Sequence, residues 1–311
     1  MDKKSKIYIA GHNGLVGSAI LRSLQDLGYE NIIYKTHKEL DLLDSVSVQE
    51  FMSLEKPEYI FLAAAKVGGI LANDKYKADF IYQNLQIQNN IIFNAYKSGV
   101  KKLLFLGSSC IYPKECPQPI KEEYLLSGYL EKTNEPYAIS KIAGIKMCQS
   151  FNDQYKTNFI SVMPTNLYGI NDKFDLSNSH VIPALIMKIH KAKSDDSNFV
   201  EVWGTGNPKR EFLFADDLAS ACVFLMNRYN ESEIINIGTG EDISIKDLAL
   251  LICKVIGYKG EIKFDSSKPD GTQRKVLNVS KIHNLGWKAQ TFLEEGLKIT
   301  YNWYLKNIDK I

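Results

Sequence analysis

The stretch Lys6-Ile7-Tyr8-Ile9-Ala10 runs directly into Gly11-x-x-Gly14-x-x-Gly17 and then into a helical apolar pattern from Ser18 to Leu27. No other feature of the chain restricts its fold as much. Strand, glycine turn and helix in this order open a βαβ unit. The glycines allow a tight turn, close approach of backbone to a pyrophosphate and close packing of helix on strand, while the helix N-terminus offers free amides to phosphate. Alone such a motif is weak evidence. In this context it predicts a dinucleotide site bordered by Gly11, Asn13, Gly14, Leu15 and Val16.

The alternation continues. Asn31 to Tyr34 reads as a second strand, Tyr59 to Ala65 as a fourth-strand candidate, and Lys102 to Leu106 and Asn158 to Met163 as further buried strands. The terminal Ala63, Ala64 and Ala65 leave room for a cofactor across the strand ends. The loop Lys66 to Ile70 follows, and Asp79 to Tyr96 has the period of a packed helix, which together with the helix around Tyr137 could form a dimer face. Such alternation predicts an α/β fold with a doubly wound parallel (Rossmann) sheet, whose ligands lie at the carboxyl ends of its strands. The strand from Lys102 delivers Ser108, Ser109 and Cys110 there, and the one from Asn158 delivers Pro164, Asn166 and Leu167. Beyond it shorter strands and loops appear, with helices near 216–229, 244–256 and 292–307, so a second, smaller α/β substrate domain is expected. The expected boundaries are 1–165 for the dinucleotide-binding domain, with a return contribution from about 212–238, and 166–311 for the other. No Pro/Gly/Ser-rich tract separates them.

The second strand ends in Lys35-Thr36-His37-Lys38, where an NAD site usually carries an acidic residue for the ribose 2′-hydroxyl. Lys35 and His37 would instead welcome a 2′-phosphate. NADP is therefore the expected cofactor, with Asp41 and Leu42 beside the adenine.

Glu135 to Gly144 contains Tyr137 and Lys141, four residues apart and so neighbours on one helix face, with Pro136 suited to the first turn. A cation near a phenol stabilises the phenolate and lowers a pKa that is ordinarily about 10, making Tyr137 a candidate acid or base. Taken alone, this pair is more often a surface tyrosine beside a solvated lysine.

Composition narrows the partners. In 311 residues, 38 basic and 36 acidic side chains leave a net charge of +2, which gives no global field for nucleic acid or membrane, so a small-molecule partner is expected. No apolar run approaches the roughly 20 residues that span a bilayer, and Met1 to Lys6 is not a secretory leader, so a cytoplasmic location is expected. The five cysteines are odd in number and lack metal spacing, which speaks against a disulfide framework or a zinc site.

Gly11-x-x-Gly14-x-x-Gly17, Ser108 at a strand end and Tyr137-x-x-x-Lys141 together resemble the extended short-chain dehydrogenases/reductases acting on nucleotide sugars. Ala63 to Ile70, Gly107 to Pro113, Pro164 to Gly169, Asn178 to Ala184, Arg210 to Leu213 and Lys268 to Thr272 are similar to the GDP-L-fucose synthase group of that family. This resemblance implies NADPH-dependent conversion of GDP-4-keto-6-deoxy-D-mannose by epimerisation at carbons 3 and 5 and reduction at carbon 4, in a homodimer. It implies Cys110 and His180 as the proton-transfer pair and Tyr137 as donor to the carbonyl oxygen. Ser108 would assist, and Lys141 would tune Tyr137 and hold the nicotinamide ribose, with His180 also near the cofactor. Thiol and imidazole both have ordinary pKa values near neutrality, which suits reversible proton transfer. Ser108, Ser109, Cys110, Asn166, Val181, Lys188, Trp203, Arg210 and Asp270 are implied to hold the substrate. Arg210 could grip a diphosphate, or merely pair with Glu211 or Asp216. One departure is visible: the family often has arginine at the positions of Asn13 and near His37, so a reduced NADPH preference is expected. Competing readings are a simple 4-ketoreductase of a related GDP-4-keto sugar such as a 6-deoxyheptose or dideoxyhexose, a dehydratase or 4-epimerase, and a catalytically idle NADP-binding regulator.

Overall fold

The structure, a computed structural model, describes residues 1–175, 179–268 and 270–310. Asn178 and Pro269, which belong to motifs quoted above, lie outside the described residues. In chain order the first half comprises β1 (Ile7–Ala10), α1 (Leu15–Asp26), β2 (Ile32–Ile33), α2 (Ser45–Glu55), β3 (Tyr59–Leu62), α3 (Ile70–Lys75), α4 (Lys77–Lys97), β4 (Lys102–Leu106), α5 (Glu135–Tyr155) and β5 (Phe159–Pro164). There follow β6 (Asn166–Tyr168), α6 (Val181–Ser194), β7 (Phe199–Trp203), β8 (Lys209–Arg210), β9 (Phe212–Phe214), α7 (Ala215–Arg228), β10 (Ile235–Ile237), β11 (Ile243–Ser244), α8 (Ile245–Ile256), β12 (Glu261–Asp265), β13 (Arg274–Lys275), α9 (Ser280–Asn284) and α10 (Leu293–Asn307).

Six strands form one parallel sheet in the order β10-β5-β4-β3-β1-β2. Because the chain starts at β1, goes outward to β2 and returns to β3 on the other side, the order reverses between β1 and β3. A ligand crevice opens at such a switch point. All residues of β1, β4 and β5 are buried, as expected of strands covered by helices on both faces. Burial of Ile7, Ile9, Leu103, Leu104, Ile160 and Val162 in one apolar core is the main stabilising term of this half. The strand at Tyr59 is the third of the sheet rather than the fourth, because only Ile32 and Ile33 pair between it and α1's end. Helix α1 begins at Leu15, three residues before the apolar pattern suggests, since the glycine turn itself supplies the first helical turn.

A second core gathers α6, α8 and α10 around Phe174, Ile186, Val202, Leu248 and Leu297. Its sheets are fragments: β7 with β12, β8 between β11 and β13, and β6 with β9. Residues Ile235–Ile237 cross back to supply β10 to the large sheet, paired with β5. Helix α7 packs on α1, with Arg22 bonded to both oxygens of Asp216 at 2.9 Å.

Candidate active site

The tip of β4 and the first turns of α5 meet at one point. Gly107 ends the strand where any side chain would strike the end of Met163, and Ser108 in extended backbone starts a single 3-10 turn over Ser109–Ile111. Its Oγ accepts the Cys110 N–H at 3.3 Å. Helix α5 lies close on β4 because Gly144 faces the Phe105 ring with no room for a Cβ, and the buried Gln88 amide of α4 donates to the Ser140 carbonyl at 2.7 Å. These contacts fix Tyr137 and Lys141 against the strand tip.

Electrostatics there differ from the expectation drawn from an isolated helix. Lys141 is 4% exposed, and its Nζ donates to the Leu106 carbonyl at 2.7 Å while standing 5.8 Å from the Tyr137 ring centroid. Burial draws its pKa down to about 8. The Tyr137 phenol is pushed well above its ordinary value, first by burial and then by the neighbouring Cys110, with Ser108 opposing. Burial also raises the Cys110 thiol, against the pull of Lys275, Ser108 and Lys141 in that order. Neither group is poised at neutrality by its own surroundings, so both need charge or hydrogen bonds to ionise.

His180 is the N-cap residue of α6. Its ring is exposed by surface area, and desolvation lowers its pKa. No hydrogen bond or ring contact joins it to Cys110 or Tyr137 among the described residues.

At the switch point Gly11 has φ +90°, and a Cβ there would come within 2.7 Å of the Ala64 nitrogen. Gly14 opens α1 with no side-chain cap, and a Cβ on it would meet nothing nearer than the Gly11 carbonyl at 3.6 Å. Asn13 is exposed, Leu15 and Val16 are half-buried, and the His12 ring lies 4.4 Å from that of Tyr34, tilted by 32°, with its buried Nδ1 unpartnered among the described residues. Ala63 continues β3 through a bond to the Ala10 carbonyl, so Ala63, Ala64 and Ala65 rim the same crevice. Lys35 and His37 are exposed at the end of β2, with His37 Nδ1 3.6 Å from Asp41 and Leu42 half-buried beside it.

The second half contributes a separate polar group. Asp270 accepts the Thr205 N–H at 2.7 Å and the Thr205 hydroxyl at 2.8 Å, in a space that exists only because residue 204 is glycine. Lys188 and Lys268 stand 5.5 and 5.6 Å from the half-exposed Trp203 ring. Val181 begins α6 about two turns before Lys188. Arg210 pairs with neither Glu211 nor Asp216. Its Nη1 donates to the Lys209 carbonyl and its charge feels Asp270, while Asp216 holds Arg22. Glu211 is fully buried and accepts the Gly240 and Leu277 amides at 2.7 and 2.8 Å. Its carbonyl accepts the Asn166 amide at 2.8 Å, tying the end of β5 and the adjacent Leu167 to β9.

A glycine turn, a serine at a strand tip and a Tyr-Lys helix on a six-stranded parallel sheet are the parts of a nucleotide-sugar oxidoreductase. The description "NAD dependent epimerase/dehydratase family" matches residues 7–238. The chain belongs to this family. It is 58% identical over 307 residues to GDP-L-fucose synthase 1 of Arabidopsis thaliana, covering 99% of this chain and 95% of that protein. It is 53% identical over 316 residues to the GDP-L-fucose synthase of Escherichia coli, covering 99% and 98%. Among solved structures, a GDP-D-glycero-L-gluco-heptose synthase from Campylobacter jejuni in the presence of NADPH superposes with a TM-score of 0.91 at 40% identity, covering 98% of this chain and 99% of the other.

The residues present fit the family's dinucleotide. The uncapped start of α1, a first turn without acidic residues, and the crowding that makes Gly11 obligatory form a backbone cradle for a diphosphate. One residue of the cluster was not anticipated from sequence. Lys275, half-buried on β13, acts electrostatically on Cys110 and Cys116, and nothing in a lone lysine beside Arg274 marks it in advance.

Proposed function

We propose that the chain is an NADPH-dependent epimerase-reductase that converts GDP-4-keto-6-deoxy-D-mannose to GDP-L-fucose. The observation that carries this reading is the gathering of Ser108, Cys110, Tyr137 and Lys141 at one strand tip, in a chain that matches GDP-L-fucose synthases over almost its whole length. When bound, the nicotinamide cofactor supplies the hydride for carbon 4. Gly11, Asn13, Gly14, Leu15 and Val16 would hold its diphosphate, Lys35 and His37 its 2′-phosphate, and Ala63 to Ala65, Pro164, Asn166 and Leu167 its course along the strand ends.

In the first stage Cys110 and His180 exchange protons with carbons 3 and 5, which the adjacent ketone acidifies by delocalising the charge as an enolate. The Cys110 thiolate accepts a proton on one face and His180 returns one on the other, so the pair can serve opposite faces of the ring. In the second stage the high pKa of Tyr137 keeps its proton in place until the carbonyl oxygen becomes an alkoxide. Ser108 donates a hydrogen bond to that oxygen. Lys141, drawn to about 8 by burial, is a cation that can re-supply the phenol. Arg210, with Lys188, Trp203, Val181, Ser109 and Asp270, would hold the GDP part, a bidentate guanidinium suiting a diphosphate.

A homodimer through α4 and α5 belongs to the same proposal, supported by Tyr82, Phe93 and Ile139, which are 64%, 48% and 42% exposed on those helices. So does a cytoplasmic location. No helix among the described residues is long and apolar enough to cross a membrane. The likeness to the C. jejuni heptose synthase keeps a second substrate in view, a GDP-4-keto-heptose. Incubation with NADPH and a panel of GDP-4-keto sugars, followed by NMR of the products, decides between them. GDP-L-fucose as the fastest product is expected, and a heptose as the only one turned over would overturn the substrate assignment.

A further inference from the structure

The three-stranded sheet β11-β8-β13 that carries Arg210 is held by very little backbone. β8 pairs with β11 at Ile243 and Ser244 and with β13 at Arg274 and Lys275, two residues on each side. The residue that follows Arg210 closes the sheet at that end. Glu211 is wholly buried, and its carboxylate accepts the Gly240 N–H at 2.7 Å on one oxygen and the Leu277 N–H at 2.8 Å on the other. Gly240 leads into β11 and Leu277 leads out of β13, so one side chain clips both neighbours of β8. Room for it comes from Gly238, where a Cβ would stand 2.1 Å from the Glu211 Oε1. The main chain of Glu211 is fastened too. Its N–H donates to the Lys275 carbonyl at 3.2 Å, and its own carbonyl accepts the Thr165 hydroxyl at 3.3 Å and the Asn166 amide at 2.8 Å. Burying a carboxylate is costly, and a neutral side chain would fill the same space without that cost. What an ionised carboxylate supplies is two acceptors at once, one for each flanking segment.

The Arg210 side chain starts one residue before this clip. Its Nη1 donates to the Lys209 carbonyl at 2.8 Å, its Nη2 lies 3.6 Å from where a Cβ on Gly271 would stand, and its remaining donors have no hydrogen-bond partner among the described residues. A guanidinium grips a diphosphate by two parallel bonds only when the plane of its fork is aimed at it. We propose that Glu211 is a positioning residue of the GDP site, clipping β11 and β13 to β8 and so fixing the main chain from which Arg210 reaches the diphosphate. This rests on the assignment of Arg210 to the GDP part of the substrate.

A double-mutant cycle separates this role from a merely structural one. GDP binding to the full-length chain is measured by isothermal titration calorimetry for the parent, Glu211→Gln, Arg210→Ala and the pair, with NADPH binding as the control. Gln keeps the volume of Glu but offers one acceptor and one donor, so one of the two amides loses its partner. Glu211→Gln should weaken GDP binding by about tenfold in the parent, and by less than about twofold when Arg210 is already alanine. NADPH affinity should stay as in the parent, and in turnover KM for the GDP-sugar should rise while kcat changes far less. An equal loss of GDP affinity in both backgrounds overturns the proposal, because Glu211 would then act without Arg210. So does a lowered melting temperature with GDP affinity unchanged, which makes the clip a stability element only. If Glu211→Gln does not fold, Gly238→Ala, whose methyl displaces the carboxylate but leaves its charge, takes its place in the cycle with the same expectation. Should Arg210→Ala alone leave GDP binding unaltered, it is the assignment of Arg210 that fails, and the proposal with it.

Discussion

The two halves hold their functional side chains by different means. At the tip of β4 the support is a sheet: β4 and β5 are buried at every residue, and Gly107 and Gly144 let strand and helix close on each other. Around Arg210 and Asp270 the ladders are two residues long, β7 alternates between exposed and buried positions, and register is set by single side-chain bonds, from Glu211 to Leu277 and from Asp270 to Thr205. A rigid sheet edge suits bond-making steps that tolerate little displacement, and short tethered ladders suit grip on a long substrate. Substitutions in the first region should therefore act on turnover, and those in the second on binding or stability.

Tyr137→Phe should have the largest effect. It removes only the proton donor, so hydride transfer should fall by about a hundred- to ten-thousand-fold while NADPH binding persists. Stopped-flow NADPH oxidation and cofactor fluorescence titration read the two separately, and reduction at the parental rate would remove Tyr137 from the chemistry.

Arg210→Ala tests the other side of the contrast. Loss of a charged hydrogen-bonding group costs about 1.5–3 kcal/mol, so KM for the GDP-sugar should rise by about ten- to a hundredfold with kcat changed far less. A fall confined to kcat would put Arg210 with the reacting atoms instead.

A third expectation concerns stability of the second half. Asp172 is 8% exposed, its Oδ2 has no partner among the described residues, and burial lifts its carboxyl to about 7. Between its unfolded pKa of about 3.9 and that value the folded chain binds more protons than the unfolded one. Its contribution is therefore full at low pH and lost as pH rises through 7. Asp172→Asn should raise stability at pH 8 by on the order of 1 kcal/mol and flatten this part of the profile. Thermal melts at several pH values check it, an unchanged slope being the contrary result.

The smallest effect belongs to the cofactor. Lys35 and His37 are exposed and Asn13 is uncharged, so kcat/KM should favour NADPH over NADH by no more than about tenfold, the worth of about 1.4 kcal/mol. Equal or better use of NADH would show that these side chains do not reach the 2′-phosphate.

The same contrast explains what could be read from sequence. Strands β4 and β5 were legible to within a residue because a strand buried on both faces is a continuous apolar run; Ser108 and Cys110 stand out by their place just beyond β4, and Tyr137 and Lys141 by their spacing on one face of α5. The state of those groups was not legible. A helix face suggests Lys141 leaning on the Tyr137 oxygen, but only the packed structure gives its ammonium the Leu106 carbonyl and raises the phenol by burial. Glu211 is visible in the sequence only as a partner for Arg210, because the Gly240 and Leu277 amides that it accepts are distant in sequence and leave no periodic signal.

The central claim is that one strand-tip cluster performs two separable stages. Turnover of GDP-4-keto-6-deoxy-D-mannose with NADPH in deuterated water, by the parent and by Cys110→Ser, tests it directly through NMR of the products. A hydroxyl is a far weaker base than a thiolate and scarcely differs from it in size. The parent should yield GDP-L-fucose labelled at carbons 3 and 5, and the variant little label at either position, with the unepimerised sugar reduced at carbon 4 as a side product. Label and epimerised product at parental rates in Cys110→Ser would contradict the account, leaving Cys110 a packed residue of the strand tip.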